Sequence, residues 1–139
     1  MQSACLKASS LGLCIHLKQA GLEPILQITG RDRSRMAVMG DVLSAASFGI
    51  DAVLALTGDH PVVGDCKESK PVYDLDSVGI LRMLSRMEET GTDCGGNPLS
   101  GPAPLNSLGA GPERGFPPQS VPVSSIRESI RRMPTESRS

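Results

Sequence analysis

Tryptophan is absent from this 139-residue chain, and its only aromatics besides histidine are Phe48, Tyr73 and Phe116. A core must therefore be built from Leu, Ile, Val, Ala and Met. Charge of one sign is also lacking: 14 Lys and Arg face 15 Asp and Glu, for a formal net charge of -1. That balance leaves no electrostatic footprint for nucleic acid or an anionic membrane surface. No apolar run reaches the length of a membrane span. Lys7 near the amino terminus is not followed by a sustained apolar region and cleavage site, which argues against a secretory signal. Cys5, Cys14, Cys66 and Cys94 show no Cys-x-x-Cys or Cys/His ligand spacing. They read as reduced thiols of a cytoplasmic protein, with no metal site expected.

The length leaves room for one domain, or for part of a larger one. Residues 11–89 carry an α/β pattern. Leu13, Ile15, Leu17 and Ala20 suggest a first helix closed by Gly21. Ile25 to Thr29, preceded by Pro24, suits a short buried strand. Asp32 or Ser34 can cap a second helix in which Met36, Met39, Leu43 and Ala46 recur at helical spacing, ending at Gly49. The next strand runs from Ala52 to Thr57, and a strand–helix–strand unit of this size predicts a right-handed parallel crossover. A Gly/Pro-punctuated loop spans 58–71. Asp74 or Asp76 then opens a third helix through Val78, Leu81, Leu84 and Met87. Such alternation predicts a parallel sheet, either doubly wound or part of a (β/α) barrel.

Beyond Gly91 the pattern dissolves into Gly and Pro. Residues 105–108 hint at a strand, although Asn106 and Ser107 interrupt its apolar character. From Pro112 onward Pro, Ser and Arg dominate with no apolar period, and the segment 112–139 is expected to be disordered. No internal repeat is found.

Segment 54–61, LALTGDHP, is the most informative part of the chain. An apolar strand ends abruptly in Gly58, Asp59 and Pro61, and strand carboxyl ends are where α/β folds gather their ligand sites. On the preceding strand Gln27 and Thr29 alternate with apolar neighbours, so both point to one side of the sheet. Thr57 and Asp59 are likewise two apart. Together they would offer amide, hydroxyl and carboxylate groups to one cavity, suited to the edge of a heteroaromatic ligand. From spacing alone the plainer reading is that both threonines fill space and bond backbone carbonyls, while Asp59 caps a turn. His60 flanks Asp59, but adjacent residues usually diverge, so it is not assigned a role. His16 and Cys66 are read as ordinary.

Several ordered segments carry a resemblance: 24–29 (PILQIT), 31–33 (RDR), 40–45 (GDVLSA), 54–61 (LALTGDHP) and 70–77 (KPVYDLDS). A weaker one, 98–102 (PLSGP), extends it to about residue 111. The chain resembles the methylenetetrahydrofolate reductase family, its bacterial branch most closely. The resemblance implies a (β/α)8 TIM barrel with FAD at the carboxyl ends of its strands. It implies NAD(P)H as co-substrate, reducing 5,10-methylenetetrahydrofolate to 5-methyltetrahydrofolate. Asp59 matches the family's aspartate near the flavin and the folate. Gly58 matches a glycine that lets backbone approach the cofactor. Gln27 falls at a flavin-contacting position, and Thr29 and Thr57 belong to the same strand motifs. Tyr73, Asp74 and Asp76 match the segment wrapping the ribityl, phosphate and adenosine portions, although both aspartates serve equally well as helix caps.

The sequence also departs from that family. A complete barrel takes about 250 residues, so residues 11–111 resemble an incomplete barrel fragment. Strands at both ends lack counterparts here, including the one bearing the family's general-acid glutamate. Thr57 stands where many members have arginine, and Gly30 where a cysteine is frequent. The 112–139 tail resembles nothing in the family and has the look of a shifted reading frame. Two functional readings follow: a flavin-dependent reductase, or a catalytically inactive remnant that retains only ancestry. A third has the fragment complementing another barrel, or a second copy, through the open edges of its sheet.

Overall fold

Each helix among the described residues begins on a polar side chain that takes up an otherwise orphaned N–H. In the computed structural model, which describes residues 4–100 and 106–109, Ser9 accepts from the Gly12 amide at 3.5 Å ahead of α1, Ser10–Gln19. Ser34 accepts from Ala37 at 3.3 Å ahead of α2, Arg35–Ser47. Asp76 accepts from Gly79 at 2.6 Å ahead of α3, Ser77–Thr90. Such caps each contribute about 1 kcal/mol. Gly91, in the left-handed region at φ 64°, closes α3 by donating to the Met87 carbonyl.

The strands are β1, Ile25–Thr29, β2, Ala52–Leu56, and β3, Asn106–Gly109, in the order β1-β2-β3. All pairings are parallel, with Leu26 opposite Val53, Thr29 opposite Leu56 and Ala52 opposite Asn106. The parallel crossover is therefore present, and the interrupted 105–108 segment does supply a strand. The Gly30 and Arg31 amides prolong the ladder beyond β1 by donating to the Leu56 and Thr57 carbonyls.

One face of the sheet is dry. Leu26 and Ile28 on β1 lie beside Val53 and Ala55 on β2. They join Val38, Val42 and Ala45 of α2 and Ile80, Leu81, Met83, Leu84 and Met87 of α3 in one core. The other face is open, with Ile25 and Gln27 exposed and Leu54 and Leu56 half-buried. In a closed barrel this second face would line the lumen.

Two helices turn a different stripe inward from the one the spacing predicts. On α1 the inward residues are Leu11, Cys14 and Ile15, while Leu13 and Leu17 are exposed. On α2 the fully buried residues are Val38, Val42 and Ala45, and of the expected stripe Met39 and Ala46 pack against this core while Met36 and Leu43 are exposed.

The free edge of β1 is covered by its own helix. Ser10 Oγ accepts from the Gln27 amide at 3.2 Å, and Cys14 Sγ donates to the Ile25 carbonyl at 3.6 Å. Burial pushes the Cys14 thiol up, which keeps it protonated as that donor. An edge blunted in this way is a poor template for another strand. The tail segment 112–139 lies outside the described residues.

Candidate functional site at the carboxyl end of the strands

The chain leaves β1 through Gly30, Arg31 and Asp32, and leaves β2 through Thr57, Gly58 and Asp59. Gly58 turns the second exit in the left-handed region at φ 87°, where a side chain is disfavoured. A Cβ there would also meet the Arg31 Cβ at 3.0 Å and the Thr29 Cβ at 3.4 Å. The two strand exits are therefore stacked, glycine on side chain.

A third segment, 72–76, crosses them. The Val72 amide donates to the Arg31 carbonyl at 2.7 Å and the Tyr73 amide to the Gly30 carbonyl at 3.1 Å. Tyr73 has φ 43°, and among the described residues no other non-glycine has a positive φ. For an aromatic residue that conformation costs on the order of 1 kcal/mol or more. It brings the Tyr73 hydroxyl to the Gly58 carbonyl, to which it donates at 3.1 Å.

Arg31 is the most buried charge of the site at 8% exposure. Its guanidinium holds Asp32 through Nε at 2.8 Å and a second nitrogen at 2.7 Å, and donates to the Asp59 carbonyl at 3.3 Å. The Asp32 pairing raises the Arg31 pKa, and Arg31 in turn holds the Asp32 carboxyl below the usual range. Thr29, itself buried, donates to the same carboxylate at 3.3 Å.

The expected site residues thus separate into two groups. Asp59 stands half-buried at the strand exit, and among the described residues its carboxylate accepts no hydrogen bond. Gly58 and Tyr73 adjoin it, and Gln27 and Thr29 lie on the open side of β1 by their register parity. Thr57 does not join them. Thr29 pairs with Leu56, so Thr57 has the parity of Val53 and Ala55 and turns toward the helices. Its Oγ1 accepts from the Ser77 amide at 3.1 Å and pairs with the Ser77 hydroxyl at 3.3 Å. Asp76 caps α3. Asp74 accepts from the Arg35 amide at 2.8 Å and from its guanidinium at 2.7 Å, which ties segment 72–76 to the start of α2. His60 accepts the Val62 amide on Nδ1 and lies 6.3 Å, ring to ring, from Tyr73.

Arg31 and Asp32 are the site residues that sequence reasoning missed, although both stand in the RDR motif. The signal was there: an Arg-Asp pair directly after a buried strand must be folded back on something.

Arg35 brings the Asp74 carboxyl down to about 2, from an ordinary 3.8. The folded value lies below the unfolded one, so the stabilisation is full above about pH 4 and fades as pH falls toward 2. Asp32 is shifted in the same direction. Urea midpoints measured between pH 5 and 2 should fall with acid, and Asp74→Asn should flatten that fall while leaving the amide acceptor in place.

A half-open cavity of about 540 Å³ lies beside β1, lined by Gln27, Arg31, Asp32, Arg33, Pro61 and Cys66. Segment 4–10 forms its other wall, anchored where the Asp65 amide donates to the Ala4 carbonyl at 3.1 Å. The volume falls within the roughly 300–1,000 Å³ of ligand pockets. Among the described residues no cluster of His, Cys, Asp and Glu could hold a metal ion.

Parallel strands, helices on one face and, at a strand exit, a carboxylate to which no described residue donates define the class: an α/β protein of the kind that places its ligands at strand carboxyl ends. A family model sharpens this, since the one described as methylenetetrahydrofolate reductase matches residues 1–95. The chain belongs to that family. Neither the search of curated proteins nor that of solved structures returned a match. Among the described residues no helix is long and apolar enough to cross a membrane.

Proposed function

We propose that this chain is part of a flavin-dependent reductase of 5,10-methylenetetrahydrofolate, of the family's bacterial branch, working in the cytoplasm with NAD(P)H. The observation that carries this reading is Asp59: a half-buried carboxylate at a parallel strand exit, its backbone fixed and its own oxygens without a donor among the described residues. The residues near it suit a flavin ring at its polar edge. Gln27 lies on the open face of β1, the Gly58 turn keeps the backbone low, and Tyr73 supplies an aromatic wall. Thr29, Thr57, Asp74 and Asp76 spend their side-chain groups on the fold.

FAD, when bound, would supply the hydride relay between the nicotinamide and the methylene carbon of the folate. The work of this chain's residues is to bind and orient. Gln27 would bond the ring edge, and Asp59 would place a fixed negative charge beside it, disfavouring extra electron density there. Asp59 would equally attract a folate whose reacting end gains positive charge.

A second reading rests on the open sheet face. A barrel encloses its site with eight strands, and three are described here. We expect the isolated 139-residue chain to bind FAD without turning over folate.

Titration with FAD, followed by flavin fluorescence alongside far-UV circular dichroism, tests the proposal. The expected result is saturable one-to-one binding to a folded chain. No binding to a folded chain would overturn the cofactor reading, and NAD(P)H-dependent folate reduction would overturn the second.

A further inference from the structure

We propose that Arg31 and Tyr73 are positioning residues that aim the Asp59 carboxylate by clamping the two peptide units beside it. The inference rests on the flavin reading above but goes beyond it, since it names what holds the tuning charge in place.

The geometry has three parts. The Gly58 carbonyl accepts from the Tyr73 hydroxyl at 3.1 Å, and the next carbonyl, that of Asp59, accepts from the Arg31 guanidinium at 3.3 Å. Two consecutive carbonyls are thereby fixed by two donors on different segments. Both donors are themselves held. Arg31 is buried and bound to Asp32, which also accepts from Thr29. Tyr73 is locked by its amide bond to Gly30 and kept in a strained backbone conformation. Strain of that kind survives only where the surroundings over-determine it.

The clamp also answers why a cation so close to Asp59 does not simply neutralise it. Arg31 meets Asp59 through the main chain, while its strong carboxylate pairing goes to Asp32. Asp32 thus keeps the guanidinium from collapsing onto Asp59, whose carboxylate stays available to a ligand. A direct Arg–Asp pair would bury the negative charge that the ring is meant to feel.

Sign separates this role from a plain charge effect. A negative charge beside the flavin lowers its reduction potential, so Asp59→Asn should raise it. Removing Arg31 as a bare cation would lower the potential further. Removing it as the holder of Asp59 would raise it, in the same direction as Asp59→Asn.

The experiment uses the full chain and four variants, Arg31→Met, Tyr73→Phe, Asp59→Asn and the double variant Arg31→Met/Asp59→Asn, with two readouts. The first is the potential of bound FAD. All three single variants should raise it, and Arg31→Met should add nothing in the Asp59→Asn background. A drop in Arg31→Met, with no change in Tyr73→Phe, would overturn the proposal while leaving the flavin reading intact. The second readout needs no ligand: backbone ¹⁵N order parameters. The clamp predicts about 0.85 at Gly58 and Asp59 in the parent, falling below about 0.6 in Tyr73→Phe and Arg31→Met, with α2 and α3 unchanged. Parent values already below about 0.6 would overturn the proposal even if no FAD binds. Tyr73→Phe loses one hydroxyl only, so it keeps the test open if Arg31→Met fails to fold.

Discussion

Gly30→Val is expected to destabilise the protein by about 3 kcal/mol, at the upper end of what overpacking costs. A Cβ at Gly30 would fall on the carbonyl oxygen of Leu75, with the carbonyl carbon 3.1 Å away. The obstacle is backbone, so no rotamer change relieves it. Nor can the segment easily withdraw. Residues 72 and 73 are bonded to the carbonyls of Arg31 and Gly30, Asp74 is tied to Arg35, and Asp76 caps α3. Pushing Leu75 out would thus loosen two helix starts along with the strand exit. The denaturant midpoint measures the effect, with the slope checked for constancy. Gly40→Ala is the control of opposite sign. Gly40 sits exposed within α2 with nothing within 4 Å of its added Cβ, so alanine there should stabilise by about 0.5–1 kcal/mol. Equal losses in both variants would mean that general glycine effects, not the Leu75 contact, govern Gly30.

Why the strands and helices were legible in sequence while the faces of two helices were not is a matter of packing. Strand boundaries follow from short apolar runs bounded by Pro, Gly and Asp, and Ile25–Thr29 stands as that signal places it. Helix starts follow from Ser34 and Asp76, whose chemistry is local. The inward stripe of α2 is a tertiary decision. Val38, Val42 and Ala45 keep helical spacing, and so do Met36, Met39, Leu43 and Ala46. The smaller set takes the centre, with Met39 and Ala46 packed beside it, because small side chains let a helix axis approach the sheet and α3 closely. On α1 the expected residues Leu13, Leu17 and Ala20 also keep helical spacing, but on the outer side of the helix. Leu11, Cys14 and Ile15 keep it on the inner side.

At the site, the identity of Asp59 and Gly58 could be read from the strand ending, but their company could not. Parity along one strand says which residues share a face, not which face of the neighbour they meet. Only the register, Thr29 opposite Leu56, shows that Thr57 points away from Gln27 and Thr29. Arg31 was overlooked for a related reason. Its role depends on the Asp59 carbonyl 28 residues away, a contact no local pattern encodes.

Leu84→Ala provides the sharpest test of that packing, with an expected loss of about 3 kcal/mol. Leu84 is 1% exposed, in the helix that supplies five buried residues to the core, among them Ile80 and Met87. Little can collapse into the space its truncation leaves, because the facing strand residues Val53 and Ala55 are short and fixed by the ladder. For a unit of this size that loss lowers the melting temperature by on the order of 15 °C. The comparison that gives it meaning is Leu13→Ala. The apolar spacing of Leu13, Leu17 and Ala20 puts Leu13 in the core, where truncation would cost as much as at Leu84. Its actual exposure of 52% predicts a change within about 0.5 kcal/mol. Thermal melts of the two variants side by side therefore decide the orientation of α1. That orientation matters beyond stability, since the helix that buries Cys14 also carries Ser10 to the Gln27 amide and covers the β1 edge. A large loss in Leu13→Ala would rotate α1 on its axis, uncover that edge, and reopen it to a further strand.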